Sequence, residues 1–308
     1  ETIIAGGGND AVRFATNVTA GELVDLAGGE DTLILAEGDN VVTVANIETI
    51  IAGDGNDDVS FVTNLTEGAL VDLAGGADTL VLAEGDNTTT VSNIETIIGG
   101  SGNDAVSLAA NLTESDLVDL GDGVDTLNLA AGVNIAVVLN VEAIAGTTSN
   151  DTLTLETAQV GTTIDLASGE DTLILADGDN VVTVSNIETI IAGAGNDAIS
   201  FAESLTEGEL IDLAGGEDTL ILADGDNATV VANIETVIGG AGNDEVTLAT
   251  NLTESDLVDL AGGEDTLILA AGDNTTTVSN IETIIGGDGN DTVTLATSAS
   301  DGDTVDLG

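Results

Sequence analysis

The sequence repeats with a period of 47 residues, and this period limits the possible folds more than any other feature. A segment that begins Glu-Thr-Ile-Ile, or a close variant, recurs with its glutamate at positions 1, 48, 95, 142, 188, 235 and 282. We therefore expect residues 1–308 to form one repetitive domain with repeats at 1–47, 48–94, 95–141, 142–187, 188–234, 235–281 and, in part, 282–308. Because both ends fall inside the pattern without a capping repeat, we expect a section of a longer protein.

Each copy contains short aliphatic and β-branched runs between turns of Gly, Asn and Asp. In the second copy, the turn Gly53–Asp57 precedes the run Asp58–Val62, and the turn Gly75–Asp78 precedes the run Thr79–Ala83. Such runs are typical of strands, and no segment has the sustained apolar period of a helix. Since strands this short cannot bury a face alone, copies must stack on one another to enclose an apolar interior.

We therefore predict an all-β fold, a parallel β-solenoid (β-roll-like) in which each 47-residue repeat forms two coils. The prediction of two coils comes from the two similar halves of each copy, each of which contains a Gly turn and two strands. One larger coil per repeat is the alternative geometry. A β-propeller is less favoured because its blades usually carry aromatic signatures, whereas this chain has three Phe and no Trp or Tyr.

The charge composition excludes several classes of function. The chain has 57 Asp or Glu, one Arg and no Lys or His, which gives a formal net charge of −56. Such a surface repels polyanions, so we expect no nucleic-acid partner and no binding to anionic membranes. No apolar run is long enough for membrane insertion. Without His, Cys, Lys or Tyr, and with carboxylates spread evenly by the repeat, we expect no enzyme, although solenoids can carry carboxylate-only glycosidase sites.

Three segments follow the pattern G-G-x-G-x-D-x-U-x, in which U is apolar: Gly99–Ser107, Gly239–Thr247 and Gly286–Thr294. We call these and the related Gly-x-Gly-Asn-Asp turns the nonapeptide turns. The sequence resembles the RTX (hemolysin-type) calcium-binding repeats of large secreted bacterial surface proteins. The resemblance implies that the Gly-rich turns stack and bind Ca²⁺ through Asp carboxylates and backbone carbonyls, that U points inward, and that the protein is exported by a type I system.

The candidate metal ligands follow from this pattern. Those in nonapeptide turns are Asp10, Asp57, Asp104, Asp197, Asp244 and Asp291. The aspartates of the second Gly turn in each copy, which we call the short turn because it is two residues shorter, are Asp31, Asp78, Asp125, Asp171, Asp218 and Asp265. The glycines expected to expose carbonyls are Gly53, Gly55, Gly100, Gly102, Gly240, Gly242, Gly287 and Gly289.

Physical chemistry also favours a cation at these turns. Calcium takes six to eight oxygen ligands, so a Gly turn beside a carboxylate suits it. Parallel stacking would place like carboxylates about 5 Å apart, where each pair repels by roughly 3 kcal/mol at an effective dielectric near 20. Because the chain has a single basic side chain, the compensating charge must come from solution. We therefore expect Ca²⁺ as the cofactor.

Several details of this arrangement are open from sequence. If the two turn types alternate along one edge, Asp57 is followed by Asp78 and then Asp104. The Gly-Asn-Asp turns are alternatively plain β-turns. We expect Asp86 and Glu67 to form a solvated opposite edge, and Glu95 and its equivalents to form an outward ladder or to assist a cation. We expect weaker or absent metal near residues 132–151, where the fourth copy lacks the Gly pair.

Strand alternation places one position of each copy on the outside of the coil, and this position is apolar in five of the six copies. The residues at this position are Ile34, Val81, Asn128, Ile174, Ile221 and Ile268. We predict lateral self-association into filaments or layers through this column, or an internal packing layer as the alternative.

The function predicted from sequence is that of a calcium-stabilised structural section of an extracellular or cell-surface protein: a surface-layer, filament, adhesin or matrix component. An ice- or carbohydrate-binding solenoid is the alternative, because flat Thr arrays order water and runs such as Thr88–Thr90 and Thr275–Thr277 are present. The single arginine, Arg13, is expected to lie on the surface.

Overall fold

The computed structural model describes residues 1–206 and 208–308, which divide into two compact units, Glu1–Thr147 and Thr148–Gly308. The described residues form short strands and no helix, so none of their segments is a helix that could cross a membrane. The strands of the first unit are β1 (Thr2–Ile4), β2 (Ala11–Arg13), β3 (Leu23–Asp25), β4 (Thr32–Ile34), β5 (Val41–Ala45), β6 (Thr49–Ile51), β7 (Asp58–Phe61), β8 (Ala69–Asp72), β9 (Thr79–Val81), β10 (Thr88–Ser92), β11 (Thr96–Ser101), β12 (Ala105–Leu108), β13 (Asp116–Asp122), β14 (Thr126–Asn128), β15 (Val133–Leu139) and β16 (Ala143–Ala145).

The strands of the second unit are β17 (Thr152–Leu155), β18 (Val160–Asp165), β19 (Thr172–Ile174), β20 (Val181–Ser185), β21 (Thr189–Ile191), β22 (Ala198–Phe201), β23 (Glu209–Asp212), β24 (Thr219–Ile221), β25 (Ala228–Ala232), β26 (Thr236–Ile238), β27 (Glu245–Leu248), β28 (Leu257–Asp259), β29 (Thr266–Ile268), β30 (Thr275–Ser279), β31 (Thr283–Ile285), β32 (Thr292–Leu295) and β33 (Thr304–Asp306).

Within each unit, every strand pairs in parallel with the strand two positions further along the chain. Odd-numbered strands therefore form one sheet and even-numbered strands the other. Two strands and two turns make one coil, and the chain rises by one strand spacing per coil. Coil length varies: Thr2 is aligned with Leu23, whereas Thr79 is aligned with Thr96. This is the predicted parallel β-solenoid.

The predicted number of coils per repeat is wrong. Residues 48–94 contain five strands, β6 to β10, and therefore two and a half coils. The segment from Thr88 to Ile97, which reads as one strand, is broken at Asn93, whose φ is +54°. Its equivalents, Asn46, Asn140, Asn186, Asn233 and Asn280, have φ between +52° and +54°. A half-integral number of coils places equivalent residues of successive repeats on opposite sheets.

The apolar core lies between the two sheets. Val59 and Leu80 are fully buried, and Phe61 and Leu82 nearly so, as strand alternation predicts. Burying such a side chain contributes about 1.5–3 kcal/mol relative to leaving it in water. The core is therefore a set of stacked aliphatic ladders that no single coil could form.

The outward apolar residues do not form the single column that was predicted. Val81 is half-exposed on the odd-numbered sheet of the first unit, but Ile34 lies on the even-numbered sheet. In the second unit Ile221 and Ile268 are separated in the same way. The cause is again the half-integral coil number, which distributes this position over both faces. Arg13 is exposed, as expected.

The outward threonines are interrupted as well. Thr88 is exposed and Thr90 is half-exposed, whereas Thr89 between them is 3% exposed and points inward.

Candidate metal centre

Each unit has two edges, formed by the turns between the sheets. In the first unit, the chain passes from an odd-numbered to an even-numbered strand at the first edge, and from an even-numbered to an odd-numbered strand at the second edge. Five kinds of turn follow one another along the second edge, at residues 14–22, 35–40, 52–57, 73–78 and 93–95. The nonapeptide turn and the short turn are therefore the third and fourth members of a five-turn stack. The first edge carries the same sequence of turns, displaced by two and a half coils.

A continuous chain of side-chain hydrogen bonds connects the turns of one stack. The backbone amide of Val18 donates to Asn40 Oδ1 at 3.0 Å, and the amide of Asn40 donates to Asp57 Oδ1 at 2.8 Å. The amide of Asp57 then donates to Asp78 Oδ1 at 2.7 Å, and that of Asp78 donates to Glu95 Oε2 at 2.8 Å. We call this Asn–Asp–Asp–Glu column the edge ladder. One side-chain oxygen of each residue thus accepts a hydrogen bond from a turn amide of the preceding coil.

The edge ladder recurs throughout both units. The other complete ladders are Asn87–Asp104–Asp125–Glu142, Asn180–Asp197–Asp218–Glu235 and Asn227–Asp244–Asp265–Glu282. Shorter segments of it are Asp10–Asp31–Glu48, Asp151–Asp171–Glu188 and Asn274–Asp291. All twelve aspartates predicted as metal ligands are therefore members of one kind of column.

The second oxygen of most ladder aspartates is buried and has no hydrogen-bond partner within the described structure. Asp57 and Asp78 are each 1% exposed, and their Oδ2 atoms accept no hydrogen bond. The same holds for Oδ2 of Asp31, Asp125, Asp171, Asp197, Asp218, Asp244, Asp265 and Asp291. An unpartnered buried carboxylate oxygen costs several times the value of an ordinary hydrogen bond. These atoms point to a cation.

Burial raises the pKa of these carboxyls. The pKa of Asp78 rises to about 6, first because burial disfavours the charged form and further because of the charges on Glu95 and Asp57; the hydrogen bond from the Asp57 amide opposes the rise. Burial likewise raises the pKa of Asp218 and of Asp265 to about 6. The pKa values of Asp57 and Asp244 are also raised by burial. The column therefore carries negative charge that its surroundings do not compensate.

Glycines bring backbone oxygens close to this column. A Cβ on Gly76 would collide with the carbonyl oxygen of Gly55, which lies in the turn below, that of the preceding coil. The same Cβ would lie 3.0 Å from Asp78 Oδ1. The same closeness recurs at Gly123 and Gly263. A carbonyl and a carboxylate oxygen thus lie beside the same glycine in successive turns.

The turn below the nonapeptide turn supplies further carboxylates. Asp39 Oδ1 accepts the amide of Asn56 at 2.9 Å, and Glu37 Oε2 accepts the amide of Asp54 at 3.4 Å. In the next repeat Asp86 Oδ1 accepts the amide of Asn103 at 2.9 Å. Asp86 is exposed, as predicted, but the prediction that it lies on the opposite edge is wrong, because its turn stacks directly beneath a nonapeptide turn. Glu67 is exposed, as expected.

Two further predictions about the stack are wrong. Asp78 is followed by Glu95 and not by Asp104, which lies on the other edge, since the next nonapeptide turn is two and a half coils away. Glu95 is half-buried and belongs to the edge ladder, so it is not an outward ladder. The alternative, that Glu95 assists a cation, remains a prediction.

The arrangement suits calcium bound by mixed oxygen ligands. Within the part of the chain described, no three carboxylates gather closely enough to hold a metal ion by themselves. Calcium accepts backbone carbonyls and water alongside carboxylates. The ladder aspartates and the carbonyls of glycines such as Gly55 would hold it, and the ion would supply the positive charge that the unpartnered Oδ2 atoms lack.

Comparison with known families agrees with this chemistry. The family model described as the RTX calcium-binding nonapeptide repeat matches the chain in four copies, over residues 91–108, 232–248 and 277–295. The chain carries RTX calcium-binding repeats. These matched segments contain the three complete nonapeptides. The cofactor of RTX repeats is calcium, as the sequence predicts. No curated protein matches the sequence.

The RTX turns of this chain differ from one another in their surroundings. Asp10 and Asp291, near the chain ends, are half-buried, whereas the interior ladder aspartates are buried.

The predicted glycines lie in tight places. A Cβ on Gly53, Gly100 or Gly287 would meet atoms of the turn below, and φ is near +150° at Gly55, Gly102, Gly242 and Gly289. Asp151 is as buried as Asp104 although its turn lacks the Gly pair. Weaker metal binding near residues 132–151 stays a prediction.

Sequence reasoning missed the asparagine at the start of the complete ladders. Asn40 is fully buried, and its Nδ2 donates to Asp57 Oδ1 and to the carbonyls of Ala36 and Gly38. The sequence does contain a pattern that could have identified Asn40, because an asparagine recurs at the same position in other repeats: Asn87, Asn134, Asn180, Asn227 and Asn274.

Proposed function

We propose that this chain is a calcium-stabilised structural section of a secreted cell-surface protein, of the surface-layer, filament, adhesin or matrix type. The column of buried, unpartnered Asp Oδ2 atoms at RTX turns is the observation that carries the proposal. The role proposed is non-catalytic: the chain lacks His, Cys, Lys and Tyr, and the repeat distributes its carboxylates evenly.

Calcium makes folding depend on location. Inside a cell, where free calcium is scarce, the buried carboxylates repel one another and oppose the fold. Outside, each ion that binds only the native state adds RT ln(1 + [L]/Kd) to its stability. Many such sites would together make a weakly stable chain durable. The single arginine also leaves almost no cleavage site for trypsin-like proteases.

Lateral self-association is part of this proposal. Outward apolar residues occur on both faces of each unit: Ile34 and Ile51 are aligned on one sheet of the first unit, and Val81 and Ile98 on the other. Apolar patches on two faces favour layers over simple dimers. Dense negative charge opposes association until calcium screens or bridges it.

The localisation experiment uses cells that produce the full protein. Antibody against residues 1–308 should label intact, unpermeabilised cells in calcium, and EGTA should strip or unfold the labelled layer. Label found only after permeabilisation would contradict the proposal.

The assembly experiment uses light scattering of the chain with and without calcium. The parent should form large particles with calcium, whereas a variant with Thr at Ile34, Val81, Ile221 and Ile268 should remain folded and disperse. If the parent stays monomeric in calcium, the self-association part is wrong.

A further inference from the structure

A second kind of acidic site lies at the end of four edge ladders. The last residue of each of these four ladders is a glutamate, and a further acid follows it by 21 residues on the next coil. We call each such combination an acidic pair. The pairs are Glu95–Asp116, Glu188–Glu209, Glu235–Asp256 and Glu282–Asp303. The second acids lie outside the segments that match the RTX family model.

The second acid is deeply buried in three of these pairs. Asp116 is 6%, Glu209 is 8% and Asp256 is 3% exposed. Each is held by a threonine three residues earlier: the amide of Thr113 donates to Asp116 Oδ2 at 2.7 Å, and the amide of Thr253 donates to Asp256 Oδ2 at 2.5 Å.

The fold of this loop does not require the acid. In the second repeat the equivalent residue is Ala69, whose amide donates to the Thr66 carbonyl at 3.0 Å. The amide of Asp116 donates to the Thr113 carbonyl at the same distance. Because alanine serves the same backbone, the buried charge at Asp116 needs another explanation.

Glu209 has an oxygen without a partner. Its Oε1 accepts both the amide and the hydroxyl of Thr206 at 2.9 Å. Its Oε2 is buried and accepts no hydrogen bond among the described residues. A buried anionic oxygen in this state calls for a bound cation.

A cavity opens between the two acids of a pair. Glu95 and Asp116 both line a cavity of about 150 Å³, together with Asn93, Asn111 and Thr113. This volume holds an ion with several waters, since one liquid water occupies about 30 Å³. Glu282 and Asp303 likewise share a cavity of about 90 Å³.

We infer that each acidic pair holds a divalent cation, with calcium the ion of choice in this chain. The ladder hydrogen bond uses Oε2 of each glutamate. Oε1 and the carboxylate of the second acid can therefore bind the ion, and amide, hydroxyl and water oxygens complete the shell. These ions would lie at the end of the four ladders that have an acidic pair, beyond the nonapeptide and short turns. The inference rests on the proposed calcium-dependent function.

The test counts calcium ions bound to the whole chain by equilibrium dialysis, with folding followed by circular dichroism. Asp116→Ala and Asp256→Ala should each lower the number of bound calcium ions by one, because each removes one carboxylate of a pair. Both variants should stay folded, because Ala69 shows that the loop accepts alanine. Ala69→Asp should raise it by one, since it places a second acid one coil beyond Glu48, at the same spacing as in the natural pairs. Glu114→Ala, an exposed acid in the same loop as Asp116, is the control and should leave the count unchanged.

Two outcomes would overturn the inference. One is an unchanged count in folded Asp116→Ala and Asp256→Ala; the other is no added ion in Ala69→Asp, which serves even if the alanine variants fail to fold. If Asp57→Asn lowers the count while these variants do not, only this inference fails. If the parent binds no calcium, the proposed function fails with it.

Discussion

The backbone amide of Asp57 donates a hydrogen bond to Oδ1 of Asp78, one coil further along the same edge, at 2.7 Å. One oxygen of the Asp78 carboxylate is thereby committed to the fold, while the other, Oδ2, is buried without a partner. Oδ1 of Asp78 therefore orders the stacked turns, while Oδ2 of the same residue is left to bind a cation.

The variant Asp78→Asn should retain the fold but lose the calcium ion bound at this residue. The amide oxygen can still accept the Asp57 amide, as Asn40 Oδ1 accepts the Val18 amide in the same ladder. The lost site should lower the free energy of unfolding by about 2.7 kcal/mol when calcium is held at a hundred times Kd. Urea unfolding and calcium counting measure the two effects. Glu67→Gln removes the same charge from an exposed position and should change neither; equal effects of the two variants would contradict the assignment.

Gly76→Ala should be much more destabilising than Gly75→Ala. A Cβ on Gly76 would collide with the Gly55 carbonyl, whereas a Cβ on Gly75 would meet only Asp54 Oδ1 at 3.4 Å. We expect a loss of about 1–3 kcal/mol for Gly76→Ala, the usual range for strained backbone. Urea midpoints in saturating calcium make the comparison. Similar midpoints for the two variants would show that the turns do not stack this closely.

Asn93 should tolerate Gly better than Ala. Its φ of +54° lies in the left-handed region, which costs an ordinary residue about 1–2 kcal/mol. Glycine removes that strain but loses the hydrogen bond from Asn93 Nδ2 to Asp72 Oδ1 at 2.8 Å. The expected order of calcium-loaded stability is Asn, then Gly, then Ala. An alanine variant as stable as the parent would contradict the break in the strand at this residue.

Acidification should restore β structure to the metal-free chain. The pKa of Asp78, Asp218 and Asp265 is raised from 3.8 to about 6, mainly by burial, so the native state binds protons more tightly than the unfolded state. Their contribution favours folding fully below the unfolded pKa and is lost as pH rises through about 6. The groups facing Asp78 are Asp57 and Glu95, both acidic.

Circular dichroism of the metal-free chain between pH 7.5 and 4 measures this effect. The triple variant with Asn at Asp78, Asp218 and Asp265 should depend less on pH. A β signal that falls steadily as the pH is lowered from 7.5 to 4 would have the wrong sign.

The sequence predicted the solenoid and the calcium chemistry of the turns because both depend on patterns that recur from copy to copy. Aliphatic alternation identified inward residues such as Val59 and Leu80, and the nonapeptides identified the aspartates that form the ladders. The number of coils was not predictable from the pattern of halves, because one Asn with positive φ turns a long apparent strand into two. That single turn changes which residues share an edge. It moves Asp104 away from Asp78 and puts Glu95 in its place.

The acidic pairs were hidden for a related reason. Glu95 and Asp116 are 21 residues apart and belong to different kinds of turn. Only the order of turns along an edge brings them to one cavity. Local sequence patterns carry no information about that order when coil lengths vary.

The central claim is that calcium holds the fold together, and far-UV circular dichroism during a calcium titration tests it most directly. The chain should give a coil spectrum in excess EGTA at neutral pH and low salt, and millimolar calcium should produce a cooperative change to a β spectrum. Magnesium at the same concentration serves as the control and should be less effective, because it needs a stricter octahedral geometry. A full β spectrum that persists in excess EGTA at low salt would contradict the claim.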